Sequence, residues 1–243
     1  MSENFIGLLG IVILLILIFI RLPIGFAMAL VGFVGFSILN STNTALNMVG
    51  VISHSTVVNY SFIVVPLFLL MGNLASNCNI TRDLYDTAFK WLGHIRGGLA
   101  IATTVACGGF AAICGSSMAT ATAMGKVALP EMKRYNYDLK LASGCVAAGG
   151  TIGSLIPPSM AFVLYAILTE QSVGHLFMAG IFPGILEVVF YIFVIYILCL
   201  NNPSLGPAGP KTSFKAKLIS LKNIWAMLIL FLLVIGGIYI LLK

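Results

Sequence analysis

Sixty consecutive residues, Leu22–Thr81, contain no Asp, Glu, Lys or Arg. A soluble domain of ordinary composition carries about one charged residue in four, so a run of this length offers no solvated face. The pattern recurs. Further charge-free runs cover Asn4–Ile20 (17 residues), Gly97–Gly125 (29), Leu141–Thr169 (29), Val188–Pro210 (23) and Asn223–Leu242 (20). A helix crosses a bilayer with about 20 apolar residues, and most of these runs supply that many. Charged residues make up 8% and hydrophobic residues 60%, and mean hydropathy is +1.08. These values exclude a soluble enzyme, a disordered chain and a nucleic-acid binder. The ten-residue alternation of an outer-membrane barrel is absent. The fold class is all-α, a polytopic membrane protein in a lipid bilayer.

The net charge of +6 reads as topology, because Lys and Arg collect in cytoplasmic loops. No basic stripe with interleaved aromatics marks a nucleic-acid surface. Cys78, Cys107, Cys114, Cys145 and Cys199 lie in or beside apolar segments without C-x-x-C spacing, and read as small buried hydrophobes. Glu3 precedes the first apolar run and no positive n-region exists, so that run is expected to be a transmembrane helix rather than a cleaved signal.

Polar punctuation divides the chain. Spans are expected at Phe5–Ile20, Ile24–Leu39, Tyr60–Ala75, Val173–Leu200 and Asn223–Leu242. Asn40–Asn59 is richer in Ser, Thr and Asn and reads as an interfacial loop or helix. Thr81–Arg96 is amphipathic, with Leu84, Ala88, Leu92 and Ile95 on one face, and reads as a helix at the membrane surface. Asn201–Lys222, with Pro203, Pro207, Pro210 and four lysines, reads as a cytoplasmic linker. If Gly97–Leu129 is a hairpin with both ends on one side, every basic residue except Lys243 falls on that side. If it crosses once, the asymmetry vanishes. The basic residues therefore select the hairpin, and its short arms favour re-entry over two full crossings.

Helix breaks at membrane depth are costly, because freed backbone groups find no water in lipid. The sequence has two. One is the hairpin tip, Cys114-Gly115-Ser116-Ser117-Met118-Ala119-Thr120. The other is Gly149-Gly150-Thr151-Ile152-Gly153-Ser154-Leu155-Ile156-Pro157-Pro158-Ser159. Pro157 and Pro158 remove helix donors and push their predecessors toward extended geometry. The carbonyls of Gly153 and Ser154 are expected to lose their partners and become available to a hard cation. The half-helix that follows presents free N–H groups and a positive dipole end to an anion. Each feature has a plainer explanation: a Gly-Ser-Ser or a Pro-Pro kink in a helix is commonly a packing contact, and Gly149-x-x-x-Gly153 has helix-packing spacing. Two breaks within forty residues favour function, since discontinuous helices mark binding sites in secondary transporters. Glu187 is the one charged residue inside its span. An intramembrane carboxylate points either to function or to a partner-subunit contact.

At these residues the chain closely resembles the large membrane subunit of tripartite ATP-independent periplasmic (TRAP) transporters, the DctM-like permeases. The matching run includes Pro66-Leu67-Phe68-Leu69-Leu70-Met71-Gly72-Asn73-Leu74 and Gly93-His94-Ile95-Arg96-Gly97-Gly98-Leu99-Ala100. It continues through Gly115-Ser116-Ser117-Met118-Ala119-Thr120-Ala121, Leu129-Pro130-Glu131-Met132, the second break and Ala179-Gly180-Ile181-Phe182-Pro183-Gly184. The resemblance implies an elevator-type, sodium-coupled importer of small organic anions in the bacterial inner membrane. It implies two partners, a small four-helix membrane subunit and a periplasmic substrate-binding protein. Residues 1–96 would be scaffold helices and an amphipathic arm. Residues 97–172 would belong to the transport domain, with a re-entrant hairpin at 97–130 and a broken helix at 141–169. Residues 173–243 would be further spans with the linker 201–222.

Carried over by position, Gly115, Ser116, Ser117, Thr151 and Gly153 would hold Na+, and Ser116, Ser117, Pro157, Pro158 and Ser159 would bind substrate. Many relatives carry Asp where this chain has Thr120, so any role for that carboxylate is lost here. The chain contains one hairpin and one Pro-Pro break where the resemblance implies two of each. It is expected to hold the first inverted repeat, with a separate or missing C-terminal half. The alternative is a non-transporting fragment or assembly scaffold. An intramembrane serine enzyme is disfavoured, because Gly-x-Ser-x-Gly is absent and no histidine lies at membrane depth.

Overall fold

The computed structural model describes residues 3–58, 62, 64–77 and 80–241; Cys78, Lys243 and the ends of the expected spans at Tyr60 and Leu242 fall outside them. The described chain is almost wholly helical and forms two units, Met1–Phe62 and Ile63–Lys243.

The first unit contains α1 (Glu3–Phe19), α2 (Ile24–Leu39) and α3 (Thr42–Val58). α1 ends in a paired C-terminal cap: Leu22 N donates to the Leu17 carbonyl and Arg21 N to that of Ile18. Arg21 takes the left-handed position usual for glycine, at φ 70°. Pro23, with φ −56°, then opens α2. Asn40–Asn59, left between loop and helix by composition, is mostly helical. The Ser41 hydroxyl accepts from Thr44 N at 3.2 Å at its start. Only small residues reach full burial in these helices, among them Ala27 and Ala45, while Leu8, Ile11, Phe26 and Leu30 face outward. Outward apolar faces are what lipid or a neighbouring membrane subunit covers.

The second unit is centred on one helix. It comprises α4 (Val64–Asn77), α5 (Ile80–Leu92), α6 (Gly98–Cys114), α7 (Ser117–Arg134), α8 (Leu139–Leu155), α9 (Met160–Thr169), α10 (Val173–Asn201) and α11 (Phe214–Leu221). A short 3-10 turn, Lys222–Ile224, leads into α12 (Trp225–Leu241). α6 is apolar all round and buried on nearly every face, from Leu99 to Cys114, as expected of a central helix. α4, α5, α7, α8, α10 and α12 pack on it. Its polar side chains are satisfied internally: Thr103 Oγ1 donates to the Leu99 carbonyl at 2.8 Å and Thr104 Oγ1 to that of Ala100 at 3.1 Å. Cys107, Cys114, Cys145 and Cys199 are free and buried, as their apolar setting predicts.

By length and composition, two stretches suffice to cross a membrane: α10, and Leu139–Thr169 taken as one broken span. α1, α2, the start of α4, and α6 are shorter apolar helices. The helix of the last expected span meets the segment before it at a bend of 48°, between Phe214–Ile224 and Met227–Val234.

Two polar segments are more closely packed than their composition suggests. α5 buries Leu84, Tyr85 and Ala88 in the core around α6, so its apolar face meets protein. The proline-rich segment after α10 docks by its backbone. Gly97 N donates to the Gly206 carbonyl at 2.9 Å, Gly209 N to that of Gly93 at 2.8 Å, and Asp138 N to that of Leu205 at 3.1 Å. Tyr137 completes this strap: its hydroxyl accepts from Leu99 N at 3.1 Å and donates to the Pro207 carbonyl at 2.9 Å. Burial pushes its phenol up to about 12. In α11, the Lys217 carbonyl accepts from Trp91 Nε1 at 3.3 Å, and the Lys217 ammonium stands over the Trp91 ring.

Candidate functional site

α6 and α7 form a helical hairpin with a two-residue turn. Gly115 adopts φ 57°, a left-handed geometry that a side chain would strain. Ser116 is extended at φ −131° and caps α7, its hydroxyl accepting from Ala119 N at 3.4 Å. Thr120 braces this turn. Its backbone N donates to the Ser116 carbonyl at 3.0 Å and its hydroxyl to the same oxygen at 2.9 Å. The Cys114 thiol lies 3.1 Å from Thr120 Oγ1. Thr120 is fully buried; where relatives are expected to carry a carboxylate, this chain has a neutral brace.

α8 ends where the proline rules require. Ile156, before Pro157, is extended at ψ 123°; Pro157 and Pro158 are joined by a cis bond; α9 starts at Met160 behind an extended Ser159. Pro157 and Pro158 cannot donate to the carbonyls of Gly153 and Ser154. The expectation that both stay free needs correction, because the buried Ser159 hydroxyl reaches back and donates to the Ser154 carbonyl at 2.5 Å. The serine replaces the hydrogen bond that Pro158 removed. The Gly153 carbonyl keeps no helical donor.

The two breaks meet. Met160 N, the first amide of α9, donates to the Gly115 carbonyl at 3.1 Å. A Cβ on Gly153 would lie 2.8 Å from the Ser116 carbonyl oxygen and 2.9 Å from Thr120 Oγ1. A Cβ on Gly150 would lie 2.8 Å from that of Ala121, and one on Gly149 would lie 2.6 Å from the Cys107 sulfur. The glycine face of α8 is therefore a seam into which the hairpin packs backbone to backbone. Gly72 of α4 approaches from another side, its added Cβ 3.2 Å from the Cys114 carbonyl. In lipid, such close contact between small residues is the main source of helix attraction.

The expected site residues separate into two groups. Gly115, Ser116, Ser117, Gly153, Pro157, Pro158 and Ser159 lie on the hairpin tip and the break that meets it. Gly115, Gly153, Pro157, Pro158 and Ser159 are buried, whereas Ser116 and Ser117 are half-buried and Met118 is exposed. The approachable side of the junction is thus the two serines. Thr151 belongs elsewhere. Two residues along a helix turn the direction by about 160° the other way round, so it faces α10, where its hydroxyl lies 2.8 Å from Glu187 Oε1 and 3.0 Å from the Tyr191 hydroxyl. Sequence reasoning placed Cys114 and Thr120 in the hairpin tip without giving either a contact, and it missed Met160 as a member of the junction. Thr120 carried a readable signal, being four residues after Ser116 in a helix.

The profile described as the DctM component of the tripartite ATP-independent periplasmic transporter matches residues 11–242. A C4-dicarboxylate TRAP transporter large permease protein of Pseudomonas aeruginosa is 43% identical over 182 residues, 74% of this chain and 42% of that protein. A sialic acid TRAP transporter large permease protein of Vibrio cholerae is 31% identical over 226 residues, 92% of this chain and 51% of its own length. An ectoine/5-hydroxyectoine large permease of Ruegeria pomeroyi is 33% identical over 180 residues, covering 74% and 41%. The chain spans about half the length, or less, of these curated relatives. All three are named as transporter permeases.

Proposed function

Because the chain belongs to the DctM component family of tripartite ATP-independent periplasmic transporters, we propose that it is part of a sodium-coupled, binding-protein-dependent importer of small organic anions. C4-dicarboxylates and sugar acids are the substrate classes in view. The observation that supports this reading is the junction itself: Met160 N on the Gly115 carbonyl, with Gly153 against Ser116. Sodium takes oxygen ligands. The hydroxyls of Ser116 and Ser117 and the Gly153 carbonyl are the available set, with Gly115 shaping the turn. The carbonyls of Ser116 and Ser154 already accept hydrogen bonds and serve as supports. An anionic group of the substrate would lie beside Ser116 and Ser117 at the start of α9, where first-turn N–H groups and the helix dipole favour negative charge. Pro157, Pro158 and Ser159 hold that helix end in place.

In this reading sodium fixes the tip first, and the fixed tip completes the anion site. The hairpin is re-entrant from the cytoplasmic side of the inner membrane and moves with the transport domain in an elevator stroke. A small four-helix membrane subunit enlarges the scaffold, a periplasmic binding protein delivers the anion, and the part of the relatives beyond this chain's span supplies the rest of the site. Sodium titration of uptake in the complete complex tests it. Ser116→Ala with Ser117→Ala should raise the sodium concentration for half-maximal uptake by about tenfold or more. An unchanged sodium dependence would count against the tip as the ion site.

A further inference from the structure

Glu187 lies at the midpoint of α10, the longest helix of the chain. Its Oε1 accepts from Thr151 Oγ1 at 2.8 Å and from the Tyr191 hydroxyl at 3.0 Å, and those two hydroxyls are 3.0 Å apart. The Thr151 hydroxyl also lies 2.6 Å from the Ala148 carbonyl. Three oxygen-bearing groups from two helices thus gather around the Thr151 hydroxyl.

The hydrogens do not suffice for them. Thr151 and Tyr191 carry one hydroxyl hydrogen each, and Thr151 must divide its own between Ala148 and Glu187. Glu187 Oε2 is buried and has no hydrogen-bond partner among the described residues. The one ion pair among the described residues joins Arg134 and Glu131, on α7. A carboxylate in an apolar span with two neutral donors on one oxygen and none on the other calls for a positive charge.

We propose that Glu187, Thr151 and Tyr191, with the Ala148 carbonyl, form a binding site for a monovalent metal cation of the sodium class. The ligand set is all oxygen, which suits a hard cation, and its single carboxylate matches a single charge. The site is separate from the hairpin tip and does not rest on the assignment of the tip residues. It lies on the opposite face of α8 from Gly153, and α10 is closely fitted there: a Cβ on Gly184 would stand 2.8 Å from Ile156 and one on Gly180 2.9 Å from the Leu155 carbonyl. A cavity of about 600 Å³ runs along α8 and α10 from Asp138 and Lys140 to Ala148 and Tyr191. Ten residues of helix separate those ends, about 15 Å or half a bilayer core.

The test is hydrogen–deuterium exchange on the full chain in its membrane complex, in sodium chloride against choline chloride at one pH and ionic strength. Sodium should slow exchange in peptides covering 146–152 and 184–192. Glu187→Gln should abolish that protection while leaving sodium protection of the tip peptide 113–121 in place. Tyr191→Phe keeps the carboxylate and the ring and removes one oxygen; it should raise the sodium concentration for half-protection several-fold, and it serves where Glu187→Gln does not fold. Protection of 146–152 and 184–192 that is equal in choline, or that survives Glu187→Gln, overturns the proposal. Equal protection in both salts is what a basic side chain from a neighbouring subunit on Glu187 would give. Loss of sodium protection at 113–121 alone, in the serine variants, bears on the hairpin reading and leaves this one standing.

Discussion

At its base, where α6 begins and α7 ends, the hairpin is bound by the strap after α10 through three backbone hydrogen bonds, with Tyr137 adding one to the strap and one to Leu99 of α6. At its tip, one backbone hydrogen bond from Met160 and the glycine seam of α8 hold it. The base is fastened by directional bonds to a segment of defined sequence. The tip is held by shape, by surfaces that fit only while no side chain intervenes. A hairpin fixed at one end and fitted at the other can shift at the tip without unfolding at the base.

The largest expected effect comes from filling the seam. Gly153→Val places methyl groups against the Ser116 carbonyl and Thr120, and overpacking of this kind costs about 1–3 kcal/mol. Uptake by the complete complex should fall by roughly 100-fold, the scale on which a misplaced site loses rate. Normal uptake would mean that the contact between breaks is dispensable. Next is the base. Tyr137→Phe removes an acceptor from Leu99 N and a donor to Pro207, a loss of about 2 kcal/mol. Thermal unfolding should begin earlier while the sodium dependence of uptake stays put; a changed sodium dependence would show that the two ends are coupled. Ser116→Ala alone removes a long cap bond and should cost about 0.5 kcal/mol, at the low end for caps, measurable as a small drop in melting temperature. The last effect is alkaline. Tyr137 holds its proton more tightly folded than at the ordinary value of 10.0, up to about 12. Its contribution is therefore intact below pH 10 and lost as pH rises toward 12. A pH series of melting temperatures should show this extra loss in the wild type and not in Tyr137→Phe.

The breaks were legible because their causes are local. A glycine that must turn and a proline that lacks N–H act on their own neighbours, and Gly115, Ile156 and the start of α9 fall where those rules place them. Membrane character was legible from charge alone. What stayed hidden depends on partners distant in sequence. The amphipathic face of α5 is plain in the sequence, but the pattern does not say whether lipid or α6 covers it. Composition marks 201–222 as polar and irregular, yet its docking is by backbone groups that every residue carries alike. Thr151 and Gly153 share one motif and face opposite ways, which follows from helix geometry only once α10 and the hairpin are placed around α8. Ser159 took over the duty of the missing Pro158 amide toward a carbonyl five residues back, a substitution visible only when the break is folded.

The hydrogen bond from Met160 to Gly115 also makes the protein its own recorder. That amide is the first of α9 and its acceptor belongs to another element, so it exchanges with solvent only when the two breaks part. Its exchange rate counts the openings of the junction, one amide serving as a clock for a motion that transport assays see only in sum.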